Sequence, residues 1–100
     1  MGKYAVKLLL HAYRDLDGIY AYIAETLLEP GAAQKLMDAL EEAIFGLEEL
    51  PQRGALRKNG AYAGKGYRQL FIKNFTVIYR VDETQKQVVI VTVRYSKSQF

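Results

Sequence analysis

The chain has 100 residues, half hydrophobic and a quarter charged, the composition of one folded domain spanning residues 1–100. It has no cysteine and a single histidine, which excludes disulfides, thiolate metal sites and multi-histidine metal centres. The net charge of +3 hides a division: residues 1–50 set four Lys and Arg against nine carboxylates, a net of −5, whereas residues 51–100 set ten against two, a net of +8.

In chain order, Tyr4, Val6, Leu8 and Leu10 alternate with Ala5, Lys7 and Leu9, the period of a strand with one apolar face. From Ala12 the period becomes helical. Leu16, Ile19, Tyr20, Ile23, Ala24 and Leu27 form the stripe, with Arg14, Asp15 and Asp17 off it. This helix is expected to end near Leu28, before Pro30-Gly31. A second helix buries Leu36, Leu40, Ala43, Ile44 and Leu47 and stops at Pro51. The two make an antiparallel helical hairpin. His11 falls at the strand-to-helix junction and is expected at the surface.

Gln52 to Gly66 reads as a basic, glycine-punctuated loop. Its Gly64-Lys65-Gly66 lacks the spacing of a phosphate-binding P-loop. Three apolar runs follow, Tyr67 to Ile72, Phe75 to Val81 and Val88 to Tyr95, rich in β-branched and aromatic residues. If Lys73-Asn74 is a two-residue turn, Ile72 faces Phe75, Leu70 faces Val77 and Arg68 faces Tyr79. Gln69, Phe71, Thr76, Ile78 and Arg80 then share the opposite face. In the last strand Val89, Val91 and Val93 are the expected core set, leaving Ile90, Thr92 and Arg94 on an open, basic sheet face. The fold class is therefore α+β: an N-terminal strand, a helical hairpin and a three-stranded antiparallel meander in one small sheet packed on the helices. No apolar run approaches the roughly 20 residues of a membrane helix. The opening Met1-Gly2-Lys3-Tyr4 lacks the apolar stretch of a secretion signal, so a cytoplasmic protein without membrane partners is expected.

Several stretches carry a family likeness. They are Tyr13 to Ala24 with its DL..I..YIA run, Leu47 to Gly54 at the end of the second helix, and Gly66 to Leu70 followed by Asn74 to Glu83. In this order they resemble the RelE/ParE superfamily of toxins from bacterial type II toxin–antitoxin modules, of the plasmid-stabilisation type. The resemblance implies a small sheet flanked by a helical hairpin, and a cognate antitoxin as partner. It also implies one of two activities, of which metal-free mRNA cleavage on the ribosome is the expected one and gyrase inhibition the alternative. RelE-like members are mRNA endoribonucleases that work on the ribosome without a metal or other cofactor. ParE-like members poison DNA gyrase without nuclease activity. A degenerate member would bind only its antitoxin.

For RNA cleavage, the 2′-hydroxyl needs a base, the phosphorane needs cations and the leaving oxygen needs an acid. The likeness places Arg68, Arg80, Arg94, Tyr95 and Lys97 in those roles. Arg53, Arg57, Lys58, Lys65 and Lys73 are the expected nucleic-acid-binding set. Leu70 and Thr76 stand where strongly active RelE-like enzymes carry further basic residues, and no C-terminal helix with another tyrosine follows.

Overall fold

The computed structural model describes residues 3–98 and 100. Strand β1 (Ala5–Leu8) leads into helix α1 (Leu10–Ala21). A single wide π-helical turn, Tyr22–Thr26, continues α1, with the Leu27 N–H bonded five residues back to the Tyr22 carbonyl. Leu28 reverses the chain with φ +56°, and helix α2 (Pro30–Phe45) opens with proline in its first turn, where no N–H is needed. A 3₁₀ turn at Gly46–Glu48 ends the hairpin. Three strands complete the meander: β3 (Arg68–Ile72), β4 (Phe75–Asp82) and β5 (Gln87–Tyr95). One further element, β2 (Ala55–Leu56), lies inside the segment expected to be loop.

The sheet has five strands in the order β1-β5-β4-β3-β2. It is mixed, because β1 runs parallel to β5, with Val6 opposite Val88 and Leu8 opposite Ile90. The helical hairpin follows β1 at one edge of the sheet and leads to β2 at the other, which lays α1 and α2 across one face. Into that face go Leu36, Leu40, Ile44 and Leu47 from the hairpin and Val77, Tyr79, Val88, Ile90 and Val93 from the sheet, with Leu16, Ile19 and Ile23 packed against them. Full burial of each large aliphatic contributes about 1.5–3 kcal/mol relative to exposure.

The β3–β4 register matches the expectation from the Lys73-Asn74 turn: Ile72 pairs with Phe75, Leu70 with Val77 and Arg68 with Tyr79. The last strand departs from it. Between Ile78 and Tyr79 the β4–β5 register shifts, so that Ile78 pairs with Thr92 but Tyr79 pairs with Ile90. Val91 is the extra residue of a bulge, and a bulge reverses the alternation beyond it. The core therefore takes Val88, Ile90 and Val93 instead of Val89, Val91 and Val93. The face away from the helices is also less open than expected, since Thr76, Ile78, Val89 and Thr92 are all buried.

Candidate functional site

The expected site residues fall on both faces of the sheet. Arg68 lies on the helix-side face with Leu70 and Ile72, and its Nη1 donates to the Gly54 carbonyl at 2.7 Å. That carbonyl belongs to a tight junction. The Gly54 N–H donates to the Tyr79 hydroxyl at 2.8 Å, and a Cβ on Gly54 would sit 2.4 Å from the Gln69 carbonyl oxygen and 2.8 Å from that hydroxyl. Only glycine admits this approach. The Tyr79 hydroxyl is pushed above its ordinary pKa by burial, against the opposing pull of the Gly54 N–H and of Arg68 and Arg53. A tyrosine held protonated in this way is an anchor and not a base.

Arg80 is exposed on the far face, paired with Val89. Arg94 shares that face, paired with Thr76. Four residues of strand separate Arg80 from Thr76, or roughly 13 Å along the sheet at about 3.3 Å per residue. Tyr95 is 44% exposed and meets the Phe75 ring edge-on, with centroids 5.8 Å apart. Lys97 is exposed in the turn after β5. The five residues thus fall on both faces of the sheet and in the turn after β5, with Arg68 already bonded to the Gly54 carbonyl.

Two depressions border this region. On the helix side, a groove of about 750 Å³ runs between α1, the π-helical turn and the ends of β4 and β5. Its walls are mostly apolar (Ile19, Tyr22, Leu27, Phe75), with Arg14 and Arg94 at the rim. On the far side, a more polar pocket of about 480 Å³ gathers Arg57, Lys58, Gln69, Phe71, Thr76 and Ser96. Arg57 is fixed there by three bonds: Nη1 to Gln69 Oε1 at 2.7 Å, Nε to the Asn59 carbonyl at 2.9 Å and Nη2 to the main-chain oxygen of Phe100 at 3.1 Å. The Phe100 ring lies near two guanidinium groups, 4.5 Å from Arg57 and 5.5 Å from Arg94. Gly60 makes room for the Phe100 main chain, having φ +83° and a would-be Cβ only 1.8 Å from the Phe100 carbonyl oxygen. Lys65 and Lys73 are exposed in the glycine-rich loop and the hairpin turn and line neither depression, Lys73 adjoining the groove residue Asn74, and Arg53 is exposed beside the Gly54 junction.

Among the described residues, every pair of Lys or Arg with Asp or Glu lies in the first half, at Lys3 with Glu48 and Glu49, and His11 Nε2 lies 3.4 Å from Asp15 Oδ2. The ten cations of residues 51–100 are left without an Asp or Glu partner. Three of these arginines, Arg57, Arg68 and Arg94, are held instead by uncharged groups. The sequence reading missed Gly54, Tyr79 and Phe100. The only signal for them was an aromatic of β4 on the core face with a polar tip to satisfy.

The fold and the sequence agree with one group of known proteins. The model of the ParE toxin of type II toxin–antitoxin systems, parDE, matches residues 6–100. The structure of a chromosomal ParDE system from P. aeruginosa is similar over 97% of this chain and 100% of that one, with a TM-score of 0.78 and 24% identity. The toxin–antitoxin complex RelBE2 from Mycobacterium tuberculosis matches over 93% and 98%, with a TM-score of 0.61 and 22% identity. A mutant of the E. coli toxin RelE in the free state matches over 95% and 85%, with a TM-score of 0.62 and 11% identity. No curated protein matches. With the family model covering all but the first five residues, the chain belongs to the ParE toxin family of type II toxin–antitoxin systems.

Proposed function

We propose that the chain is a cytoplasmic toxin that acts by binding DNA gyrase without cutting RNA, and that a cognate antitoxin holds it inactive. The observation that carries this reading is the scatter of the five candidate catalytic side chains: Arg68 is committed to the Gly54 carbonyl on one face, and Arg80 stands roughly 13 Å along the sheet from Arg94. General acid–base cleavage needs its groups within hydrogen-bond reach of one phosphate. A binding surface has no such requirement. Arg80, Arg94 and Lys97, with Arg57 and Lys58, make a cationic surface that meets the target. The apolar groove and its arginine rim suit an acidic antitoxin segment that folds as it binds. Among the described residues, no helix is long and apolar enough to cross a membrane.

The test is gyrase supercoiling and DNA cleavage with increasing toxin. Loss of supercoiling with accumulation of cleaved DNA supports the reading, and full supercoiling at excess toxin refutes it. Arg80→Ala combined with Arg94→Ala should abolish the effect while the chain stays folded. A second reading, metal-free mRNA cleavage on the ribosome, is favoured by the polar pocket that sets Arg57 and Lys58 beside exposed Phe71. Primer extension on a translated message separates the two: cuts within codons at the A site, absent on naked RNA, belong only to the nuclease.

A further inference from the structure

Asp15 sits off the apolar stripe of α1, where a solvated side chain is expected, yet its side chain is only 20% exposed. One of its oxygens, Oδ2, gathers three groups. It accepts the Thr92 hydroxyl and the Val93 N–H, the latter at 3.1 Å, and lies 3.4 Å from His11 Nε2. The Thr92 oxygen in turn accepts from Arg94 Nε at 3.2 Å. A hydroxyl has one proton. Since Thr92 gives it to the carboxylate, the series runs in one direction, from Arg94 through Thr92 to Asp15, and each bond polarises the next. Thr92 is fully buried and immediately follows the extra residue of the β5 bulge, so the same network fixes the backbone that carries Arg94.

The mode of attachment matters. Arg94 is held through Nε, and one face of its guanidinium packs near Phe100. Among the described residues its two terminal nitrogens make no hydrogen bond. A direct carboxylate pair would have occupied that fork. An interposed hydroxyl orients the group and leaves the fork for a bidentate oxyanion.

We propose that Asp15 is a positioning residue for Arg94: acting through Thr92, it aims the free guanidinium fork at an oxyanion of the toxin's target. This rests on the placement of Arg94 in the target-binding surface given above, and the experiment separates the two ideas. In the purified chain labelled with ¹⁵N-arginine, the Arg94 Nε–Hε resonance, identified by its loss in Arg94→Lys, should be resolved and protected from solvent exchange. Thr92→Ser keeps the hydroxyl and should keep that protection. Thr92→Val keeps the shape without the hydroxyl, and should move the resonance to the position and exchange rate of exposed arginines. In the gyrase assay, at matched folded fraction, Thr92→Val should need about tenfold more toxin, the change expected for loss of one charge-assisted hydrogen bond, and Thr92→Ser should follow the parent. A protected Arg94 signal in Thr92→Val overturns the proposal, as does full potency of Thr92→Val when Arg94→Ala is inactive. If Arg94→Ala keeps full potency, the placement of Arg94 in the target surface fails, and the resonance alone decides the positioning role.

Discussion

Replacing Tyr79 with phenylalanine isolates the junction that holds the loop before β2 against the sheet. The substitution removes one oxygen and keeps the ring, which is fully buried. What it strands is the Gly54 N–H, now donated to the hydroxyl at 2.8 Å, in a residue that is itself buried. A buried donor left without an acceptor costs about 1–3 kcal/mol. For a chain of this length, that lowers the melting temperature by roughly 5–15 °C. The alkaline limb gives a second, independent readout. Burial raises the folded-state pKa of Tyr79 above its ordinary value of 10.0. Its contribution to stability is therefore complete below pH about 10 and is lost as pH rises through the folded value, with a slope of at most about 1.4 kcal/mol per pH unit. Tyr79→Phe lacks that titration while every other group is shared. The stability difference between the two proteins, measured by urea unfolding, should thus be constant at neutral pH and shrink above pH about 10. A difference below about 0.5 kcal/mol at neutral pH, or one that does not narrow in alkali, would refute the account of the junction.

Two further substitutions test the fold that carries the site. Leu40→Ala empties a fully buried position between α2 and the sheet and should destabilise by about 2–5 kcal/mol in denaturant unfolding; a loss under 1 kcal/mol would mean the hairpin does not pack on the sheet there. Leu28, 77% exposed at φ +56°, holds a conformation that costs a side-chain residue about 1–2 kcal/mol. Leu28→Gly should raise the melting temperature by roughly 5 °C, and a lowered value would show that the exposed leucine makes contacts worth more than the strain.

The parts legible in the sequence were those governed by a single period. The stripe of the second helix named Leu36, Leu40, Ala43, Ile44 and Leu47, of which all but the half-buried Ala43 are buried. The two-residue turn at Lys73-Asn74 fixed the β3–β4 pairing residue by residue, because a hairpin loop of known length leaves no freedom of register. In β5 the same logic failed for a physical reason. Val88 to Val91 are apolar without interruption, so no alternation marks which side chain faces the helices, and a one-residue bulge is invisible in such a run. Strand β2 was hidden because two residues cannot show a period. Asp15 was misplaced because a stripe records which residues are apolar; it cannot distinguish a solvated carboxylate from one that accepts two groups of a neighbouring strand.

That last failure bears on how the cationic half is built. Pairing its arginines with carboxylates would hold them in place but cancel their field, and would leave each bidentate fork filled. The chain instead holds Arg68 by the Gly54 carbonyl, Arg94 by the Thr92 hydroxyl, and Arg57 by the Gln69 amide oxygen and the Asn59 carbonyl among its partners. Each guanidinium is immobilised without an Asp or Glu in direct contact, so the entropic cost of ordering it is met within the fold while its charge remains available. Asp15 extends the same principle by one step: its negative charge reaches Arg94 only through a hydroxyl. A partner that presents oxyanions to this surface therefore meets arginines already ordered and not yet neutralised. Its binding should weaken steeply with salt, since the attraction it uses is the one the fold leaves unspent.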